Sequence, residues 1–263
     1  MTRCNLFALD REGHPKQWTA AEAERFIKKA NPQYTLFLLN QLNITASDNV
    51  LELGCGPGTL TIPVAKKAKQ VTAVDSSAGM FEVLKESAEA EGLQNIVYVN
   101  KIWREVDLQS DLSAPFDVAF ASNAINLMGL KELQDGKGAP VLDWDLEDAV
   151  LRLNSVAKRV YLTMPLMRHN VPEAFKVVGH PCYSFPSYIL VYNVLSQLGL
   201  DVAIQYFVVH EQVNHESTRM LERIEWILNL DHDEVLKFKD KILGSLDDSE
   251  KGLQVWALMW WKN

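Results

Sequence analysis

The strongest indication of the fold is VLELGCGPGTL, residues 50–60, an apolar run that ends at three glycines spaced two apart. The apolar half is typical of a buried strand, and Gly54, Gly56 and Gly58 follow it. Glycine adopts positive φ and lets a ligand approach the backbone with no Cβ in the way. A strand that ends in such a turn predicts a ligand crevice at the carboxyl end of the first strand of an open α/β sheet.

Outward from this turn, short apolar runs alternate with helical segments. The runs typical of buried parallel strands are 49–54, 71–75, 96–100, 117–121 and 159–164. Helices are predicted between them at about 58–68, 78–91 and 145–158. Strands and helices in this order imply right-handed crossovers and a doubly wound sheet.

The N-terminal segment has the start signals of two helices. Thr19 followed by Glu22 predicts a capping box, in which each side chain accepts a hydrogen bond from the backbone amide of the other residue. Asn31 and then Pro32 predict the start of a second helix, since proline is tolerated at the first helical position.

The C-terminal third continues the alternation less regularly. A helix at 186–200 and a sixth strand at 201–210 are predicted, and two helices follow around 217–229 and 232–245. The last run, 253–262, is dense in Val, Trp and Met, which predicts a buried seventh strand. The stretch 122–145 is expected to be a long loop.

Composition limits the classes of function. The chain has 263 residues, 48% of them hydrophobic, and no apolar run near the roughly 20 residues that span a bilayer. The first 18 residues carry acids and lack the apolar core of a secretory signal. Three cysteines without a CxxC pair indicate a reducing compartment, so a cytoplasmic location is expected. The net charge of −8 disfavours nucleic acid as a partner.

Two acidic residues narrow the class of ligand. Asp75 ends the second predicted strand, where a carboxylate can accept hydrogen bonds from both ribose hydroxyls. Glu52 precedes the first glycine by two, and a pyrophosphate would not favour an anion there. The third glycine also comes one position early for the dinucleotide pattern. A nucleoside with positive charge and no phosphate, such as S-adenosylmethionine, fits both acids.

Residues 50–86, VLELGCGPGTLTIPVAKKAKQVTAVDSSAGMFEVLKE, resemble the cofactor half of class I S-adenosylmethionine-dependent methyltransferases. The match consists of two hydrophobic residues, an acid and GxGxG, followed by VxAVDxSxxM at the second strand. Residues 115–128, PFDVAFASNAINLM, resemble the strand-four motif of that family, and a looser likeness covers about 40–215. The resemblance implies a seven-stranded, mostly parallel sheet whose seventh strand is antiparallel.

The resemblance also implies a division of the chain and a set of cofactor contacts. One domain, 1–263, would comprise an N-terminal helical cap (1–45), a Rossmann-like core (46–212), a helical insertion (213–250) and the last strand (251–263). The positions that match cofactor-binding residues of the family are Glu52, Gly54, Cys55, Gly56, Gly58, Asp75, Ser76, Met80 and Asn123. Asn123 would lie near the methyl-transfer centre.

The chain departs from the family after the third strand. Many members place an aspartate there for the adenine amino group, whereas this chain has Lys101. Adenine would then depend on backbone groups and on packing against Ile102 or Trp103, although Trp103 could equally belong to the core.

The methyl acceptor is the least determined part of the sequence. In-line transfer needs alignment and, for some acceptors, a general base, for which His169 and His180 are the candidates. Cys182 is interpreted as a buried or pocket-lining thiol. His210 and His215 match no standard ligand spacing, so no metal is expected.

These observations predict an enzyme that transfers a methyl group to a small molecule. Three alternatives stay open: a catalytically silent cofactor-binding accessory protein, a tRNA or protein methyltransferase, and a dehydrogenase. Neither the identity of the acceptor nor the oligomeric state follows from the sequence.

Overall fold

The structure is a computed structural model that describes residues 17–28, 30–124, 130–134, 140–144, 146–166, 187–210, 236–237 and 253–263. Within these ranges lies one seven-stranded sheet with helices on both faces and a separate two-stranded pair.

Two helices precede the sheet, α1 (Ala20–Lys28) and α2 (Pro32–Leu42). The predicted capping box is confirmed, because the Glu22 amide donates to Thr19 Oγ1 and the Thr19 amide donates to Glu22 Oε2. Asn31 caps α2 by accepting from the amides of Gln33 and Tyr34.

The remaining elements follow in chain order. The strands are β1 (Asn49–Leu53), β2 (Gln70–Asp75), β3 (Ile96–Asn100), β4 (Val118–Ser122), β5 (Leu130–Gln134), β6 (Pro140–Trp144), β7 (Arg159–Pro165), β8 (Ala203–His210) and β9 (Leu253–Lys262). The helices are α3 (Thr61–Ala65), α4 (Ala78–Ala90), a short 3-10 helix (Trp103–Glu105), α5 (Leu146–Val156) and α6 (Tyr188–Gln197).

The large sheet has the order β3-β2-β1-β4-β7-β9-β8. Pairs from β3 to β7 are parallel, and β9 is antiparallel to both β7 and β8. The predicted doubly wound, mostly parallel seven-stranded sheet with an antiparallel last strand is therefore confirmed. The strand order reverses between β1 and β4, which is where open α/β sheets bind ligands.

The stretch 122–145 differs from the long loop that the sequence predicted. β5 and β6 pair there as antiparallel strands, with Leu130 opposite Trp144 and Gln134 opposite Pro140. The sequence between the two strands, DGKGA, has the glycines and aspartate typical of hairpin connections. The two helices predicted between β8 and β9 lie outside the described residues apart from 236–237.

The two faces of the sheet have separate cores. Side chains of α2 and α3 pack on one face with Val50, Val118 and Phe120. The other face packs against α5 and α6 through residues such as Leu51 and Leu162. Because side chains alternate between faces along a strand, Glu52 of β1, Ser122 of β4 and Thr163 of β7 all lie on the α2 face near its carboxyl edge.

Candidate functional site

The glycine turn after β1 has the backbone conformation that its sequence requires. Gly54, Gly56 and Gly58 have φ of 66°, 52° and 90°. A Cβ at Gly58 would collide with the Leu84 side chain of α4, whereas a Cβ at Gly56 would meet no atom of the described residues within 4 Å. Gly58 therefore allows helix packing, and Gly56 borders open space that a ligand can enter.

Asp75, at the end of β2, joins the turn to the start of α4. Its Oδ2 accepts a hydrogen bond from the Gly56 amide and its Oδ1 accepts one from the Ser77 amide, both at 2.9 Å. Burial raises the pKa of this carboxyl, and the backbone hydrogen bonds oppose the rise. A carboxylate has about four acceptor positions, so it retains capacity for a hydroxyl donor beside these backbone groups.

Glu52 lies beneath the same turn and is 2% exposed. Its Oε2 accepts a hydrogen bond of 2.6 Å from the Thr61 hydroxyl at the start of α3. Burial raises the pKa of Glu52 to about 8, with a further contribution from the negative charge of Asp75. A cation at this end of the crevice would favour the ionised carboxylate and lower that pKa.

Of the other predicted cofactor contacts near this turn, Cys55 and Met80 are deeply buried and Ser76 is not. Cys55 is 4% exposed beside Phe81 of α4, and burial raises the pKa of its thiol well above its usual range. Met80 is also 4% exposed and packs against Ala23 of α1. Ser76 is partly exposed, next to Asp75.

Trp103 belongs to the core, which is one of the two roles that the sequence left open for it, the other being packing against adenine. The side chain is 1% exposed within the α5-facing core, and its indole N–H donates to the Ala149 carbonyl at 3.1 Å. The Arg152 guanidinium lies 5.4 Å from the ring centroid. Because these contacts enclose the indole, neither face of the ring is left for adenine. The preceding residue, Ile102, is only partly buried. Lys101 forms an ion pair with Asp111 at 2.6 Å.

The carboxyl ends of β4 and β7 are tied to α2 by three hydroxyls. The Tyr34 hydroxyl lies 2.6 Å from Ser122 Oγ and 2.6 Å from Thr163 Oγ1. Burial raises the pKa of Tyr34 to about 12, with Glu52 among the contributing charges, so the phenol stays neutral at ordinary pH. The Tyr34 ring packs against Trp256 of β9, with centroids 4.5 Å apart.

The sequence did not predict this hydroxyl group, which we call the hydroxyl triad (Tyr34, Ser122 and Thr163). Tyr34 is one of several polar side chains in α2, and Ser122 and Thr163 lie near the ends of strands and 41 positions apart in the sequence. The adjacency of Ser122 to the predicted Asn123 was the single available signal.

Asn123 follows β4 directly and is exposed, with φ of 54°. Its amide donates to the Thr163 carbonyl at 2.9 Å. Asparagine tolerates this left-handed conformation better than most residues, which allows the chain to turn at the strand end. His169 and His180 lie outside the described residues, as do Cys182 and His215.

No group of three His, Cys, Asp or Glu side chains suited to a metal occurs in the described ranges. Within the same ranges, no helix is long and apolar enough to cross a membrane. The absence of a metal remains a prediction from the sequence.

Comparison with known proteins identifies the domain and the fold that contain these residues. The model of a methyltransferase domain matches residues 50–136, which run from β1 past β4. The structure resembles phosphoethanolamine N-methyltransferase 2 of Haemonchus contortus, solved with S-adenosylhomocysteine and with S-adenosylmethionine. In the first complex the TM-score is 0.61 at 17% identity, over 94% of this chain and 58% of that one.

The chain contains a methyltransferase domain and has the fold of class I, S-adenosylmethionine-dependent methyltransferases. The predictions of family, enzyme class and cofactor are thereby confirmed.

Other relatives differ in how much of this methyltransferase they match. An uncharacterized protein of Haemophilus influenzae is 29% identical over 269 residues, covering 98% of this chain and 91% of that protein. A probable ribosomal RNA small subunit methyltransferase A of Methanosphaera stadtmanae is 37% identical over 70 residues, covering 27% of this chain and 26% of that protein. The structure of coclaurine N-methyltransferase with N-methylheliamine has a TM-score of 0.56 at 15% identity, over 88% of this chain and 72% of that one.

Proposed function

We propose that this methyltransferase transfers the methyl group of S-adenosylmethionine to a small molecule by in-line displacement. The observation that carries the proposal is that α2 covers the carboxyl ends of β4 and β7 through the Tyr34 hydrogen bonds. Because α2 covers this edge of the sheet, an RNA or protein acceptor has less room there than it would have at an uncovered edge.

The cofactor contacts in this proposal follow the geometry of the turn. Asp75 accepts hydrogen bonds from the ribose hydroxyls with the capacity that the backbone leaves unused. Glu52 faces the positively charged methionine part. Gly54, Cys55, Gly56 and Gly58 supply the backbone around the ligand, and Gly56 borders the open space. Ser76, Met80 and Ile102 lie toward the adenosine, with Trp103 behind them in the core.

The transfer step needs alignment more than covalent chemistry. A lone pair of the acceptor forms the bond to the methyl carbon, and the carbon–sulfur bond breaks with its electron pair moving onto sulfur. The proton of the acceptor leaves to water or to a base, for which His169 and His180 are the proposed groups. Asn123 lies at the end of β4 to orient the acceptor.

The share of this chain that each relative covers supports a small acceptor. The two N-methyltransferase structures have small amines bound and cover 94% and 88% of this chain. The ribosomal RNA methyltransferases cover only 27% to 38% of it. Those shorter matches support a shared methyltransferase domain more than a shared acceptor.

Two further predictions belong to the same proposal. The cap, core, insertion and last strand form one domain over 1–263, and the enzyme acts in the cytoplasm without a membrane partner. A ribosomal RNA acceptor is the second candidate, since RNA methyltransferases occur among the relatives.

The test is formation of S-adenosylhomocysteine by the full chain with S-adenosylmethionine. Separate reactions contain pooled small amines, phenols and thiols, or total RNA, and the product is quantified by mass spectrometry. We expect turnover with a small-molecule pool, which the Asp75→Ala variant loses. Turnover with RNA alone would overturn the small-acceptor proposal, and tight cofactor binding without turnover in any pool would favour an accessory role.

A further inference from the structure

The hydroxyl triad lies at the point of the sheet where ligands are expected. Ser122 ends β4, which neighbours β1 at the reversal of strand order. Glu52 of β1 lies on the same face, one pleat nearer the amino end, because it pairs with Phe120. The triad thus borders the cofactor crevice on the acceptor side.

The triad has hydrogen-bonding capacity to spare. Three hydroxyls carry three protons, and the two hydrogen bonds that join Tyr34 to Ser122 and Thr163 use two of them, whichever hydroxyl donates in each. Thr163 is 1% exposed, whereas Ser122 is partly exposed at the strand end. Whichever hydroxyl donates, Tyr34 occupies at most one of the two acceptor positions of Ser122 Oγ, so among the described residues this pair leaves one acceptor position to a ligand.

We propose that Ser122 binds the N–H or O–H group of the methyl acceptor, and that Tyr34 and Thr163 are positioning residues for the Ser122 hydroxyl. A hydrogen bond from the acceptor to Ser122 Oγ turns the lone pair of the acceptor toward the methyl carbon. This geometry selects an amine or hydroxyl compound over a thioether or an aromatic carbon, which has no such hydrogen to donate. The inference rests on the proposed function and names its class of acceptor.

The neutral state of Tyr34 agrees with positioning. Because its pKa is raised to about 12, the phenol is a hydrogen-bonding group and takes no proton from the acceptor at ordinary pH. Its ring is held by Trp256 and Phe207, with centroids 4.5 and 5.7 Å away, so the hydroxyl has a fixed direction.

The inference can be tested without knowing the acceptor. Sinefungin carries an amine-bearing carbon in place of the methylated sulfur, whereas S-adenosylhomocysteine has no group there. The ratio of the two dissociation constants, measured by calorimetry on the full chain, therefore reports hydrogen bonding at the methyl position. We expect Ser122→Ala to weaken sinefungin about tenfold and to leave S-adenosylhomocysteine within about twofold, because a charge-assisted hydrogen bond is lost.

The positioning role has its own variants. Tyr34→Phe and Thr163→Val are each expected to weaken sinefungin selectively by about threefold, and Ser122→Thr to restore the wild-type ratio. Tyr206→Phe is the matched control, since the Tyr206 hydroxyl also bonds another hydroxyl, that of Tyr188, on an exposed part of the chain. Thermal unfolding identifies any variant that does not fold.

Each outcome decides between the alternatives. An unchanged ratio in Ser122→Ala overturns the acceptor contact, and equal losses of both ligands in Tyr34→Phe reduce Tyr34 to a structural residue. If neither ligand binds the wild-type chain, the proposed cofactor site itself fails, which is a different result from a constant ratio.

Discussion

The two halves of the carboxyl edge are built in different ways. The cofactor half takes Glu52, the glycine turn and Asp75 from neighbouring strands that follow each other along the chain. The acceptor half brings together Tyr34 of α2, Ser122 of β4 and Thr163 of β7. The first half carries carboxyls whose pKa is raised by burial, and the second carries neutral hydroxyls. A site for a charged cofactor is thus local in sequence, while the part facing the acceptor depends on the docking of a helix.

The largest expected effect is a difference in stability between alanine substitutions at two glycines of the cofactor half. Gly58→Ala should destabilise the fold by about 3 kcal/mol, because the new Cβ collides with Leu84 and the residue keeps a φ of 90°. Gly56→Ala should cost only about 1 kcal/mol, since its Cβ meets no atom within 4 Å in the part of the chain that the structure describes, but should weaken cofactor binding. Chemical denaturation and calorimetry measure the two quantities. Equal losses of stability would contradict the distinction between packing and ligand space.

The second effect tests the acid at the end of β2. Asp75→Ala should raise the dissociation constant for S-adenosylmethionine about a hundredfold, because two hydrogen bonds to a charged group are lost. Asp117→Ala is the matched control: that carboxylate also accepts a backbone N–H, from Asn49 at 3.0 Å, but lies before β4 at the opposite edge. The control should leave the dissociation constant unchanged in calorimetry. A similar affinity for wild type and Asp75→Ala would remove Asp75 from the site.

The third effect is a dependence of cofactor binding on pH through Glu52. Because the pKa of Glu52 is about 8 without ligand, its carboxyl ionises as pH rises through this value. Affinity for the cationic cofactor should therefore rise about tenfold from pH 6.5 to pH 9. Glu52→Gln should bind weakly at both pH values. Calorimetry in buffers of different ionisation enthalpy should also show proton release on binding to the wild type.

Glu52 should act on stability in the opposite direction. Its pKa is raised from 4.5 in the unfolded chain to about 8, so the folded state favours the protonated form. That contribution is full below pH 4.5 and is lost as pH rises through about 8. Without cofactor at pH 8, Glu52→Gln should therefore unfold at a higher temperature than the wild type, and a lower one would contradict the buried, protonated acid.

The smallest effect concerns the N-terminal segment that packs beside the cofactor half. A Cβ at Gly79 would lie 2.7 Å from the Ala20 amide nitrogen and would collide with the Trp18 carbonyl, so Gly79→Ala should loosen residues 17–28. Faster hydrogen exchange in that segment is the readout, with cofactor affinity reduced about twofold to threefold. Gly92→Ala, beyond the other end of α4, meets no described residue within 4 Å and should leave the exchange of this segment unchanged.

Several features were predictable from the sequence because their causes are local. Alternating apolar runs determined the strands of the large sheet, and the capping residues Thr19 and Asn31 determined where α1 and α2 begin. The glycine turn and Asp75 carried the cofactor prediction for the same reason. Backbone conformation, hydrogen bonding and strand order act there over short distances along the chain.

The tertiary structure decided what burial and distant contacts control. Trp103 could have faced adenine or the core, and only the packing of α5 placed it in the core. The sequence predicted a loop over 122–145 and did not reveal the antiparallel pairing of β5 with β6 there. The sequence determined the sheet and the nature of the cofactor, while the partners of Tyr34 depended on α2 docking against strand ends more than 80 residues away. No local pattern records such a contact, because its free energy comes from burying surfaces that meet only in the folded chain.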